Sequence, residues 1–352
     1  MQRMRAARAA GHRTTIAALL LLLLGAVASA GTGHAAEGTA AKAAATADAS
    51  GDKPAQPLRV ALVTPGPIND AGWNAGAYAG LKRIEKELGA EISHEQASTP
   101  VQFQQSFRAY GRDGYDLVFG HGFEFQDAAL AAGRNFPKTR YVVSSGAVHA
   151  ENVASLRFVL EEATYLAGIL AAGLSKSGAA GLVGGIEIPV IEHTFEGFRK
   201  GAHSVNPQFR IATAFTGSFE DVAAARSAAQ AQLLRGADIL MPNADAANLG
   251  VFQAARARGA LAIGTNANQN DVLPDTIAAS CVADIPEAFV QVARSVQDGS
   301  FRGEVILEGL STGVIRLEVN PKFEGRIPPE IKAKIAEADK KIRNGELQLL
   351  EK

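Results

Sequence analysis

Between residues 58 and 266 the apolar positions follow two alternating periods. Short β-rich runs stand at 58–64, 115–121, 140–146, 179–185, 210–215, 237–243 and 260–266. Most are followed by a turn and a longer stretch with apolar positions three or four apart. At 75–88, Tyr78, Leu81, Ile84 and Leu88 succeed one another at helical steps, with Lys82, Arg83, Glu85, Lys86 and Glu87 between them. Stretches 161–174, 222–235, 249–258 and 287–297 read the same way. Gly89, Gly178, Gly236, Gly259 and Gly299 stand just after such stretches, where a left-handed helix end favours a residue without Cβ. Strand–helix alternation predicts parallel sheets covered on both faces. The body is long for one core, so the expected fold is α/β: two doubly wound parallel-sheet lobes with a ligand cleft between them. Further on, 304–310 and 314–319 read as two strands around Ser311-Thr312-Gly313. A terminal helix is expected at 328–344, packing back through Ile331, Ile335 and Ile342.

The N-terminal stretch follows other rules. Arg3, Arg5, Arg8 and Arg13 precede an uncharged apolar run at 16–27, and Ala28-Ser29-Ala30 closes it. A basic start, a short apolar centre and an A-x-A end predict a signal peptide over 1–30, cleaved near Ala30. The run is shorter than the ~20 residues a membrane span needs. No cysteine stands near the cleavage region, so the expected product is periplasmic and not lipid-anchored. Residues 31–57 are alanine-rich with no larger aliphatic residue, which predicts a disordered tether.

Composition narrows the function. With 35 Lys+Arg against 36 Asp+Glu, the chain lacks the basic excess of a dedicated nucleic-acid binder. Its one cysteine, Cys281, excludes an intramolecular disulfide and any Cys-clustered metal site. The glycines of 178–185, GAAGLVGG, bracket an apolar run instead of opening a helix, unlike a dinucleotide fingerprint. No P-loop, H-E-x-x-H or G-x-S-x-G occurs. His121, in FGHGFEF, and His193, in EHTFEGF, have no second histidine at metal-ligand spacing and read as structural or pocket-lining groups. Glu124 and Glu192 are their expected hydrogen-bonding partners. The pairs Glu161-Glu162 and Glu220-Asp221 stand at predicted helix starts, where they favour the helix dipole. No catalytic residue, cofactor or metal is expected.

The chemistry-bearing residues gather just after predicted strands. The first run leads into PGPINDAGWN, with Asn69, Asp70, Trp73 and Asn74; the second ends in Gly122, Phe123 and Glu124. Ser145 stands at the end of the third, Phe219 and Asp221 follow the fifth and Asp245 and Asn248 the sixth, and Asn266 closes the seventh with Gln269 just after it. Ligands of open parallel sheets sit beyond the carboxyl ends of the strands. Two such sheets face to face would line a cleft with these amides, hydroxyls and aromatics. Trp73, the only tryptophan, and Phe219 stand in loops of different lobes and would clamp a flat ring by stacking. The neutral polar groups fit a heterocycle or sugar, and these loops hold no arginine for an anion.

The segments INDAGWN, GYDLVFGHGFEFQDAA, EEATYLAGILAAGLSKSGAAGLVGG, IPVIEHTFEGFRKGA, FTGSFED, GADILMPNADAANLGVFQAA, IGTNANQ and QDGSF carry a specific resemblance. Collinear from about residue 58 to about 317, the chain resembles the basic membrane protein family of ABC-transporter substrate-binding proteins, whose best-known members are purine-nucleoside receptors. The resemblance implies a type I periplasmic-binding-protein-like fold, three hinge crossovers and no chemistry performed. The division expected is 58–147 plus about 267–299 for lobe 1, 148–266 plus about 300–325 for lobe 2, and 326–352 for the C-terminal helix. It also implies that Asp70, Trp73 and Asn74 match the first-lobe aspartate, stacking aromatic and asparagine of nucleoside-binding relatives, and Phe219 their second aromatic. Ser145 stands where those relatives often carry an aspartate, and Asp245 replaces a glycine. Asn266 stands for the aspartate that accepts both ribose hydroxyls, and Ala283 for a lysine that reaches the sugar. An amide offers one acceptor where a carboxylate offers two.

The function expected is the periplasmic, monomeric binding component of an ABC importer. It would take a purine-type nucleobase or nucleoside and deliver it to an inner-membrane permease. An exported nucleoside-processing enzyme using Asp70 or Asp245, and a signalling solute receptor, are the competing readings.

Overall fold

Val60, Ala61, Leu62 and Val63 are all wholly buried, which alternation along a one-faced sheet would not allow. Both faces of their sheet are covered by helices, and the uninterrupted apolar run is what such a position requires. The computed structural model of the protein describes residues 56–349 other than Ala71. The expected signal peptide and nearly all of the expected tether lie outside those residues.

In chain order the first elements are β1 (Arg59–Thr64), α1 (Trp73–Leu88), β2 (Glu91–Gln96), α2 (Pro100–Arg112), β3 (Leu117–His121), α3 (Gln126–Asn135), β4 (Arg140–Ser144) and β5 (Val153–Phe158). Next come α4 (Leu160–Leu174), β6 (Ala179–Gly184), α5 (Pro189–Val205), β7 (Arg210–Phe215), α6 (Val222–Leu234), β8 (Ile239–Asn243), α7 (Asn248–Ala257), β9 (Leu261–Asn266) and β10 (Ile277–Ala283). The chain closes with α8 (Ile285–Gln297), β11 (Val305–Glu308), β12 (Ile315–Val319) and α9 (Pro329–Arg343).

The strands form two six-stranded sheets, ordered β11-β5-β4-β3-β1-β2 and β12-β10-β9-β8-β6-β7. All pairings are parallel except β10 with β12. The order reverses between β1 and β3 in one sheet and between β6 and β8 in the other. At such switch points the loops diverge and leave a crevice above the strand ends. The expected α/β class with two doubly wound lobes is thus the observed one.

The lobe boundaries differ from those expected. Strand β5 belongs to the first sheet, so the first crossing lies between Phe158 and Leu160, not near 147. Strand β10 belongs to the second sheet, and the chain returns to the first lobe at α8, which packs on α1. The runs around Ser311-Thr312-Gly313 pair in different sheets, β11 with β5 and β12 with β10. They form the third crossing. The link Gly309–Val314 folds as turns, with Ile315 N–H donating to the Gly309 carbonyl at 3.2 Å, and its Leu310 N–H is held by Glu162 of α4 at 2.6 Å. Glu162 is therefore a hinge clamp and not only a dipole partner.

In the second lobe α4 and α5 make the closest helix pair. A Cβ on Gly201 would stand 1.9 Å from the Tyr165 carbonyl oxygen, and one on Gly168 2.1 Å from that of Phe198. Glycine at both positions is what lets the backbones meet. Helix α9 docks on α4, its buried Ile331 seated over Gly173 and Ile342 buried further along.

Candidate functional site: an acidic cleft between the lobes

The residue before helix α1 is Gly72, which has no side chain to cap it, and Asp70 does so instead. Its Oδ1 accepts from the N–H of Gly72 (3.0 Å) and Ala75 (2.9 Å). Its Oδ2 accepts from Asn74 N–H (2.7 Å) and from the Asn74 amide Nδ2 (2.9 Å). An anion is favoured at a helix N-terminus by the free N–H groups and the dipole. This cap fixes the loop so that Trp73, the first helical residue, faces the cleft.

Behind Trp73 stands His121, wholly buried. The two rings stack with centroids 4.1 Å apart and an interplanar angle of 24°. His121 Nε2 lies 3.0 Å from the Trp73 carbonyl oxygen, and Nδ1 lies 2.8 Å from Ser144 Oγ. A carbonyl only accepts, so Nε2 carries the proton and Nδ1 accepts from the serine. Burial pushes the imidazole down to about 3, so it stays neutral. Glu124 is not its partner, contrary to expectation. The reason is the 3₁₀ turn Phe123–Phe125, which turns Glu124 to the cleft, where burial raises its carboxyl.

Phe219 is held from the other side. Ser218 Oγ accepts from the N–H of Glu220 and Asp221, and Ala247 N–H donates to the Phe219 carbonyl at 3.1 Å. The ring occupies the space a Cβ on Gly185 would need, 2.3 Å away. At the end of the GAAGLVGG run Gly184 and Gly185 make room for rings, Phe215 and Phe219, in keeping with the glycines bracketing a strand.

Ser145, Asp245 and Asn266 have φ of +57°, +48° and +67°, the only non-glycine residues with positive φ among the described ones. Each stands just beyond or at the end of a strand, β4, β8 or β9. A left-handed backbone in a residue with a Cβ is strained, and such strain gathers at functional sites. Asn266 Nδ2 donates to Asn243 Oδ1 and to Asp245 Oδ1, both at 3.3 Å. Burial drives the Asp245 carboxyl up to about 7, and the charges of Asp70 and Glu124, from the opposite lobe, push the same way.

These groups line one cleft of about 640 Å³ between the lobes. Asn69, Asp70, Trp73, Asn74, Gly122, Phe123 and Ser145 reach it from the first lobe, and Phe219, Asp245 and Asn266 from the second. Gln269 does not. Its Oε1 accepts from Thr265 N–H at 3.1 Å and its N–H donates to Ser280 Oγ at 3.0 Å, bracing the loop between β9 and β10. A polar residue in a strand-end loop serves the loop's own backbone as readily as a ligand, and here that demand wins. Sequence reading missed the apolar wall. Phe158 and Leu160 at the first crossing, with Ile186, Ile188, Val190 and Ile191 after β6, complete the lining. The run I-E-I-P-V-I at 186–191 was the available signal. Phe158 meets Trp73 edge-on, 5.8 Å between centroids. Glu220 also faces the cleft, a second departure from a neutral lining. Among the described residues no group of His, Cys, Asp or Glu is placed to hold a metal ion.

Two lobes of parallel sheet, three crossings and a strand-end cleft define a solute-binding protein of the type I periplasmic class. A crystal structure of an ABC transporter solute-binding protein from Aeropyrum pernix K1 superposes with a TM-score of 0.77 at 25% identity, covering 83% of this chain and 93% of that one. A purine-binding protein of Brucella abortus is 26% identical over 293 residues, 82% of each chain. The ABC transporter nucleoside-binding protein BmpA of Lactococcus lactis is 28% identical over 326 residues, 85% of this chain and 92% of that one. Residues 58–351 match the family model described as ABC transporter substrate-binding protein PnrA-like. The chain belongs to this Bmp family, as the sequence resemblance implied. Members of the family are substrate-binding proteins of ABC transporters.

Proposed function

We propose that this protein is an exported, monomeric receptor that closes on a purine-type nucleobase or nucleoside, performs no chemistry on it, and presents it to an inner-membrane permease. The observation that carries this reading is the pair of aromatic rings, Trp73 and Phe219, held on opposite lobes over a single cleft. The family membership and the names of the Brucella and Lactococcus relatives support it. Among the described residues no helix is long and apolar enough to cross a membrane.

The sugar side of the site favours a free base. Asn266 spends its amide N–H on Asn243 and Asp245, and Ala283 offers no polar group. A charge-assisted hydrogen bond is worth about 1.5–3 kcal/mol, so losing carboxylate and ammonium partners outweighs the gain from burying a ribose. Calorimetric titration of hypoxanthine against inosine, and of guanine against guanosine, should show the base binding at least as tightly. A tenfold nucleoside preference in both pairs would restore the nucleoside reading. Release of free base from inosine on incubation would refute a purely receptive role.

A further inference from the structure

The cleft is short of hydrogen-bond donors. Its lining includes four carboxylates, Asp70 and Glu124 from the first lobe and Glu220 and Asp245 from the second, and no lysine, arginine or histidine. Three of the four lining amides already direct Nδ2 at an acceptor within the protein. Asn74 Nδ2 serves Asp70, Asn266 Nδ2 serves Asn243 and Asp245, and Asn243 Nδ2 points to Thr194 Oγ1 at 3.4 Å. The Thr194 hydroxyl donates in turn to the Val190 carbonyl at 2.9 Å. Asn74, only 6% exposed, has a buried Oδ1 without a partner. Because its Nδ2 is fixed on a carboxylate, the amide is not free to turn and offer a donor instead. Asp70 is satisfied by its helix cap, and the remaining side-chain donors, Asn69, the Trp73 indole and two serine hydroxyls, are set against the carboxylates of Glu124, Glu220 and Asp245.

An orphaned acceptor is costly unless the ligand supplies an N–H, and a ligand carbonyl set against it or against a carboxylate adds repulsion. Resting on the reading of the cleft as a flat-ring site, we propose that the ligand is an amino-substituted heteroaromatic ring, neutral or cationic, whose donor edge meets the Asp245 carboxylate, and that oxo-substituted counterparts are rejected. Asp245 is the central group because Asp70 and Glu124 share its cleft from the other lobe, and their charges act on it. A donor or cation placed there relieves all three.

The test is calorimetry on the full chain, freed of bound ligand by unfolding and refolding, with matched pairs at pH 7.5: adenine and hypoxanthine, 2,6-diaminopurine and xanthine, 2,4-diaminopyrimidine and uracil. The amino member should bind at least tenfold tighter in every pair that binds. In Asp245→Asn, which keeps the side-chain shape, that ratio should shrink to about threefold or less. Equal or tighter binding of hypoxanthine and xanthine would overturn the donor-edge proposal and leave the purine reading standing. Binding of 2,4-diaminopyrimidine with no purine binding would support the proposal and remove the purine reading. Failure of all six to bind would overturn both, and an unchanged ratio in Asp245→Asn would overturn the assignment to that carboxylate.

Discussion

Trp73 does its work from a fixed position: Asp70 caps the helix beneath it, and His121 fills the space behind its ring. A ligand ring stacked on the open face meets a surface already ordered, so little side-chain entropy is lost on binding. Trp73→Ala and Phe219→Ala should each weaken ligand binding by about 1–3 kcal/mol, from lost stacking and lost apolar contact. Titration of the folded variants checks this, and unchanged affinity in both would make the rings structural. Two groups, the buried His121 and the half-buried Asp245, give opposite pH effects. His121 drops from 6.5 to about 3 on folding, so the unfolded chain gains a proton first and stability is lost as pH falls from about 6.5 toward 3. Asp245 rises from 3.8 to about 7, so the folded protein holds the extra proton and stability is lost as pH rises from about 4 to 7. Thermal melts of the ligand-free protein should show Asp245→Asn raising Tm at pH 8 and changing it little at pH 4. His121→Gln should flatten the acid limb. At this scale the positions of Trp73, Phe219 and most polar residues along the cleft were legible because they follow strands directly. Gln269 was misread because position after a strand does not reveal which way a side chain turns.

Elements were legible in proportion to how well local pattern agreed with burial. The strands at 58–64, 115–121 and 179–185 were plain, and all five glycines read as helix ends have positive φ. Strand β2 was missed because EISHEQ is a polar edge strand, half-buried at most. Strand β10, IAASCVA, is wholly buried but rich in alanine and serine, which carry little β preference. Helix α2 had an overlooked start signal in Thr99-Pro100-Val101-Gln102, a capping box with proline at the first turn. The α4–α5 contact was invisible, since a glycine inside a helix reads as weakness until a neighbouring backbone is seen against it. Gly201→Ala should destabilise the second lobe by about 1–3 kcal/mol, through overpacking against Tyr165 that outweighs the better helix propensity. Urea unfolding of the full chain reports it as a lower midpoint at unchanged slope.

On the scale of the whole molecule, the two-lobed class followed from strand–helix alternation, but the crossings did not. A crossing is chosen by which sheet has an open edge, and nothing local to residues 147 or 267 records that. The late crossing, Glu308 to Ile315, supplies the last strand of both sheets, β11 beside β5 and β12 beside β10. A chain ending at Gly303 should lose cooperative unfolding and be cut rapidly by trypsin in both lobes, because each sheet is left with a bare edge. One ending at Ile327, which lacks only α9 and the short tail beyond it, should keep both protected lobes. The same feature sets a clock during synthesis. A chain leaving the ribosome has neither half sealed until residues 305–319 emerge. It therefore remains open to holding chaperones until the third crossing has been made.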